Sequence, residues 1–367
     1  MKRKRNILLW AVLLAGIALS GCAPGRSETT EMETEPSDTE ESGVNIGLSF
    51  DSFVLERWLR DRDAFVGAAE ALGAETNVQN ANGDVEEQIE QIRYLIRKQV
   101  DALVVVATDC QALSEVMMEA KDAGIKTISY DRLIQNADTD LYISFDNEKV
   151  GELMAETLRE NVSPGGEIFM LQGPEEDNNV QLVRKGFQKG ISDTDLKVVY
   201  SSNCIGWQAE EAVDALNKGL ELYPDVSGIM CGNDDIASRV INSLAEIRRA
   251  GSLTVVGQDG DLAACQRIVE GTQSMTVYKQ VEKEAEIAAE FAVRLAEGEE
   301  IDAGGETMND GSYDVPCILI EPVAVTKENL DEVIIDGGVY SREDVYLNVH
   351  QGENGTLGSS TWKETEE

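Results

Sequence analysis

The chain has 367 residues and is 42% hydrophobic, enough for two ordinary domains with real cores rather than a disordered string. Lys and Arg total 31 against 69 Asp and Glu, a formal charge of -38, so the surface repels phosphates and a nucleic-acid partner is excluded. Its one histidine, His350, leaves multi-histidine zinc sites and Ser-His or Cys-His catalysis without material.

The chain opens with the cations Lys2-Arg3-Lys4-Arg5, an apolar run from Ile7 to Leu19, and then Leu19-Ser20-Gly21-Cys22. The run is too short for a membrane span of about 20 residues and reads as an export signal over residues 1–21. The residues before Cys22 resemble the lipobox of bacterial lipoproteins, which implies a diacylglycerol-bearing cysteine at the mature N-terminus and a protein held on the outer face of the cell membrane. Residues 22–43 read as a tether, because Glu28, Glu31, Glu33, Glu35, Asp38, Glu40 and Glu41 face a single Arg26 among Ser, Thr, Pro and Gly. Its reach is at most roughly 70 Å, at about 3.3–3.6 Å per residue.

From Val44 the hydrophobic period switches repeatedly between strand and helix. Val44–Phe50, Glu75–Gln79, Ala102–Ala107, Lys126–Tyr130 and Tyr142–Phe145 read as strands; Leu55–Leu72, Val85–Lys98 and Ala112–Ala123 read as helices. The unbroken ALVVVA run predicts a strand covered on both faces, the mark of a parallel sheet. A second series repeats the rhythm: helices at Lys149–Glu160, Val180–Lys189, Gln208–Lys218 and Ile236–Arg249 alternate with strands at Ile168–Leu171, Lys197–Tyr200, Gly228–Met230 and Thr254–Gly257, and the strand Ser274–Val277 follows Asp261–Glu270. A long helix, Val281–Glu297, precedes the strands Val315–Ile320 and Val323–Thr326. The prediction is an α/β protein with two doubly wound parallel-sheet lobes, followed by a polar, disordered tail.

Open α/β sheets bind ligands beyond the carboxyl ends of their strands. Those positions here are repeatedly polar or aromatic: Asp51 and Glu56-Arg57-Trp58, Asp131-Arg132, Asp177-Asn178-Asn179, Trp207, Asn233-Asp234-Asp235, Gln258-Asp259-Gly260 and Tyr278-Lys279. Planar carboxylate, amide and guanidinium groups engage vicinal hydroxyls in pairs, and an indole covers the apolar face of a pyranose, so the inventory suits a sugar. Each residue alone has a plainer reading, since an Asp or Asn after a strand caps helices and a Trp at helical spacing packs in cores. Carboxylate pairs such as Asp234 with Asp235, or Asp259 with Asp177, leave glycoside hydrolysis open. Phosphate-cradling and dinucleotide glycine motifs do not occur, so no cofactor is expected. Cys110, Cys204, Cys231, Cys265 and Cys317 are odd in number and widely spaced, which predicts buried free thiols and no metal site.

The runs LERWLRDRDAF, VQNANGD, YDRLIQNADTDLYISFDNEKVGEL, DNN, GQDGDLA, GTQSMTVYK and NDG…DVP resemble the sugar-binding proteins of ATP-driven importers, in the D-xylose-binding branch of the ribose/galactose-type periplasmic binding proteins. The likeness runs from about Val44 to Tyr340. It implies ligand contacts at Glu56, Arg57, Trp58, Asp131, Arg132, Asp177, Asn179, Trp207, Asn233, Asp259 and Lys279, with Trp58 and Trp207 sandwiching a monosaccharide, D-xylose by the branch. It further implies a non-enzymatic monomer that closes on its hinge and delivers sugar to a membrane permease; a sensory or chemotaxis receptor for another pentose or hexose is the alternative. The implied lobes are 44–146 with 278–320 and 147–277 with 321–345, leaving 346–367 as the tail. Gln172–Glu176 and Asn203–Gly206 depart from the family pattern, and nothing matches the calcium loop of galactose-binding relatives.

Overall fold

The computed structural model describes residues 43–55 and 57–349. The signal and tether segments, Cys22, Glu56 and His350 therefore lie outside the described residues.

Strand β1 (Asn45–Phe50) opens a regular alternation with α1 (Arg57–Ala71), β2 (Glu75–Asn80), α2 (Val85–Arg97), β3 (Ala102–Val105), α3 (Ser114–Asp122), β4 (Lys126–Tyr130) and β5 (Leu141–Phe145). The chain then crosses to a second sheet through α4 (Asn147–Asn161), β6 (Glu167–Gln172), α5 (Asn178–Ile191), β7 (Lys197–Asn203), α6 (Glu211–Leu222), β8 (Gly228–Cys231), α7 (Asp234–Glu246), β9 (Thr254–Asp259), α8 (Leu262–Glu270) and β10 (Met275–Tyr278). It returns with α9 (Val281–Ala296), β11 (Thr307–Asn309) and β12 (Asp314–Ile320), crosses again to β13 (Val323–Val325), and ends in a π-helical turn and α10 (Arg342–Val345).

The first sheet has the order β11-β12-β5-β4-β3-β1-β2 and the second β13-β10-β9-β8-β6-β7. All pairings are parallel except β11 with β12 and β10 with β13, so each sheet carries one antiparallel strand at its edge. The late strands thus divide between the sheets, with β12 beside β5 and β13 beside β10. β3 is buried along its whole length between helices, as its unbroken apolar run requires.

Local chemistry sets the helices that approach the cleft. Asp84 caps α2 by accepting from the Glu87 N–H at 3.1 Å, and Ile92 and Leu95 turn into the core. α4 and α5 meet backbone to backbone: a Cβ on Gly186 would lie 1.8 Å from the Glu148 carbonyl oxygen, and one on Gly151 would lie 2.0 Å from that of Val183. Only glycines allow that approach, and it fixes the start of α5, where Asp177 and Asn179 stand.

Three details differ from the expectation. α7 stops at Glu246, because Arg248 takes a positive φ of 59° and turns the chain. β9 runs on to Asp259, two residues past the apolar stretch. The segment expected to be a polar tail from residue 346 is structured through Val349: the Tyr346 hydroxyl donates to Asp331 Oδ1 at 2.9 Å, and Val349 packs against a cluster around Leu330 and Ile334. The five cysteines other than Cys22 are all buried and free.

Candidate functional site

The carboxyl ends of the strands of both sheets face one another across a cleft lined by residues of both. The first lobe lines it with Arg57 and Trp58 from the start of α1, Asp131 and Arg132 after β4, and Lys279. The second supplies Asp177 and Asn179 at the start of α5, Trp207 after β7, and Gln258 and Asp259 at the end of β9. Nine of the expected contact residues therefore converge. Asn233 is 2% exposed and does not line the cavity; its Oδ1 accepts from the Ile236 N–H at 2.9 Å and so caps α7.

The lobes are closed on each other through direct polar contacts. Arg132 Nε lies 2.8 Å from Asp177 Oδ2, and Asn179 Nδ2 donates to Asp131 Oδ1 at 2.8 Å and to its carbonyl at 3.0 Å. Arg132 Nη1 also donates to Asp51 Oδ2 at 2.8 Å and to the Ala107 carbonyl at 2.7 Å. Trp207 Nε1 donates to Asp177 Oδ2 at 3.1 Å, and the ring packs so tightly on Gly173 that a Cβ there would meet Cη2 at 2.4 Å.

Arg57 is the centre of charge. Its Nη1 lies 3.0 Å from Asp131 and 3.9 Å from Asp259, and its Nη2 lies 3.0 Å from Glu284 and 3.2 Å from Asp61. The guanidinium stacks over Trp58 with its carbon 4.2 Å from the ring centroid. Counting Arg132 and Lys279, three buried cations face six carboxylates: Asp51, Asp61, Asp131, Asp177, Asp259 and Glu284. Burial cannot support that acid excess in ionised form. Burial and then the nearby Asp131 charge push Glu284 far up, against the pull of Arg57. Burial likewise raises Asp61 despite its bonds to Arg57 and Tyr130, and Asp51 despite Arg132. For Asp131 burial is outweighed by Arg57, Lys279 and Arg132, which together hold it below the ordinary value. The carboxylate that lines the cleft, Asp131, is thereby shifted down, while Asp51, Asp61 and Glu284 are shifted up.

Backbone strain concentrates at the same place. Asp131, Trp207 and Asp259 have φ of 61°, 59° and 102°, a region costing on the order of 1–3 kcal/mol for non-glycine residues, and all three line the cleft. Trp58 Nε1, Asn179 Oδ1 and Gln258 Oε1 are buried there without a hydrogen-bond partner among the described residues. Unpartnered buried polar atoms on residues that line one cavity suit a ligand rich in hydrogen-bonding groups.

Gln258, Asp61 and Glu284 were not among the expected contact residues. A signal existed for each: Gln258 stands at the end of a strand beside Asp259, Asp61 follows Arg57 by one helical turn, and Glu284 sits among Val281, Ala285 and Ala288 on the buried face of α9.

Residues 46–300 match the family model described as "Periplasmic binding protein domain". The D-xylose-binding periplasmic protein of Haemophilus influenzae is 44% identical over 308 residues, 83% of this chain and 92% of that protein. Its counterpart from Escherichia coli is 42% identical over 307 residues, 82% of this chain and 92% of that one. Among solved structures, a carbohydrate transporter solute-binding protein from Chloroflexus aurantiacus in complex with D-glucose superposes with a TM-score of 0.76 at 27% identity, covering 82% of this chain and 97% of its own. An ABC transporter solute-binding protein from Clostridium phytofermentans with bound β-D-glucose gives 0.75 at 27% identity, over 82% and 99%. With two closed α/β lobes, a polar cleft at the strand ends and this level of identity, the chain belongs to the periplasmic binding protein family of sugar-binding transport components.

Proposed function

We propose that the chain captures D-xylose in the interlobe cleft and presents it, lobes closed, to the permease of an ATP-driven importer. The observation that carries this is the convergence, from both lobes, of Arg57, Asp131, Arg132, Asp177, Asn179, Asp259 and Lys279 around one cavity with an indole from each side. Two relatives of more than 40% identity are named for D-xylose. Asp131, Asp177 and Asp259 serve as hydroxyl acceptors, Arg57, Arg132 and Lys279 as donors, and Trp58 and Trp207 cover the C–H faces of the ring. Glu56 joins the contacts, whereas Asn233 is kept to capping α7. The protein works as a monomer without cofactor or metal and performs no chemistry on the sugar.

Calorimetry with D-xylose, L-arabinose, D-ribose and D-glucose tests this reading: D-xylose binds tightest, and an absence of D-xylose binding at millimolar concentration sinks it. Residues 1–21 act as an export signal, 22–43 as a tether and Cys22 as the lipidated residue, holding the lobes outside the membrane. A clickable fatty acid fed to expressing cells labels the wild type and leaves Cys22→Ser unlabelled; equal labelling removes the anchor.

A further inference from the structure

The turn that brings Asp259 to the cleft is held by a carboxylate from a different strand end. Asp234, the first residue of α7, is 1% exposed and does not line the cavity. Its Oδ2 accepts from the Gly260 and Asp261 N–H groups, both at 3.1 Å, and from Thr276 Oγ1 at 2.7 Å. Its Oδ1 accepts from Gln273 Nε2 at 2.8 Å. An ionised carboxylate offers about four acceptor positions, and here four donors converge on it, three of them on Oδ2. The ends of β8, β9 and β10 are thus tied at one point. Gly257 in β9 permits the approach, because a Cβ there would stand 2.3 Å from Asp234 Oδ1.

The tied turn needs such a tie. Asp259 has φ of 102° and is followed by Gly260 at 74°, so a non-glycine residue is held in a conformation it rarely adopts unless its neighbours impose it. In that conformation Asp259 Oδ1 stands 3.9 Å from both Arg57 Nη1 and Lys279 Nζ, facing the cleft.

We propose that Asp234 is a positioning residue for sugar recognition: by gripping Gly260 and Asp261 it locks Asp259 in the strained geometry that aims its carboxylate at one sugar hydroxyl. This rests on the reading of the cleft as a sugar site. Asp234 then sets selectivity for a hydroxyl it never touches.

The test uses calorimetry on the full chain with D-xylose and its monodeoxy analogues, for wild type, Asp234→Asn, Asp259→Asn and the double variant. Burial pushes the Asp234 carboxyl up to about 7 despite the adjacent Arg267, so measurements are made at pH 8, where the ionised form prevails. Asp234→Asn is expected to weaken D-xylose binding at least tenfold and to erase the preference for the same hydroxyl that Asp259→Asn erases. The double variant binds within about twofold of Asp259→Asn, as coupled neighbours do. Should Asp234→Asn not fold, Thr276→Val removes one donor to the same oxygen together with a second acceptor of the Gly260 N–H, and is expected to shift the same hydroxyl preference by three- to tenfold. Losses that multiply, or that fall equally on every analogue, overturn the inference while leaving the sugar reading intact. A wild type that binds none of the sugars removes both.

Discussion

Replacing Tyr340 by Phe removes one hydroxyl from the contact between the lobes and nothing from the cleft lining. In the closed form Arg60 Nη1, on α1 of the first lobe, donates to the Tyr340 hydroxyl at 3.0 Å; Tyr340 belongs to the C-terminal segment packed on the second lobe. The other bridging contact of Arg60, to Asp261, is a long ion pair of 3.8 Å between side chains 21% and 12% exposed, and the substitution leaves it in place. The hydrogen bond is worth about 1 kcal/mol net, a factor of about five in the ratio of closed to open protein. Ligand affinity scales with the fraction able to close, so the variant binds D-xylose up to about fivefold more weakly. If instead the ligand-free protein is already mostly closed, affinity holds and the radius of gyration rises as open molecules appear. Calorimetry and small-angle scattering on the ligand-free protein read the two outcomes. Both quantities matching wild type would refute the reasoning that this hydroxyl helps hold the lobes together.

Trp207→Ala removes a cleft wall and the donor to Asp177, and is expected to weaken sugar binding by tenfold or more, since aromatic contacts contribute about 0.5–1.5 kcal/mol beyond their area; an unchanged Kd takes Trp207 out of the site. Glu284→Gln keeps an acceptor for Arg57 and discards a group whose folded pKa is raised. Stability from such a group is present below the unfolded value of about 4.3 and is lost as pH rises toward the folded one. The variant should therefore melt as high as wild type or higher at pH 9, with the gap closing toward pH 5; a lower melting temperature at pH 9 contradicts the charge assignment. Asp310 accepts the N–H groups of Ala137, Asp138, Ser312 and Tyr313 at 2.8–2.9 Å, joining the β11–β12 hairpin to the loop before β5. Burial raises its carboxyl, but those four bonds outweigh it and hold the group below its usual range. Asp310→Ala should cost about 2–3 kcal/mol at pH 7. The difference is present above the unfolded value of about 3.9 and fades as pH falls through the folded one; a constant difference down to pH 2 would count against it.

Much of the cleft was readable because the residues that line it sit at a position defined by the hydrophobic pattern, directly after each apolar run. Asp131, Arg132, Asp177, Asn179, Asp259 and Lys279 were all found this way. The same rule could not separate Asn233, since an amide between a strand and a helix serves a cap and a ligand equally well. Asp61 and Glu284 escaped because inward-facing carboxylates on helices gain meaning only once the helix face and its neighbour, Arg57, are known. The positive φ of Asp131 has no composition signal, whereas those of Trp207 and Asp259 adjoin Gly206 and Gly260. Among the elements, β11 is three residues long and pairs only with β12, too short to show a period. The antiparallel direction of β13 depends on where the chain re-enters the second sheet, which no local property records.

Two residues, Glu321 and Pro322, separate β12 of one sheet from β13 of the other. Neither lobe is a continuous stretch of chain: the first lacks its cover until α9 packs on α1, and both lack an edge until residues 314–325 arrive. Native contacts therefore span most of the sequence, which slows folding. A ribosome, or any channel through which the chain emerges from its N-terminus, must release nearly the whole polypeptide before either half can finish. The arrangement builds a delay into maturation, and a chain stalled before residue 314 is left with two unfinished sheets rather than one good lobe.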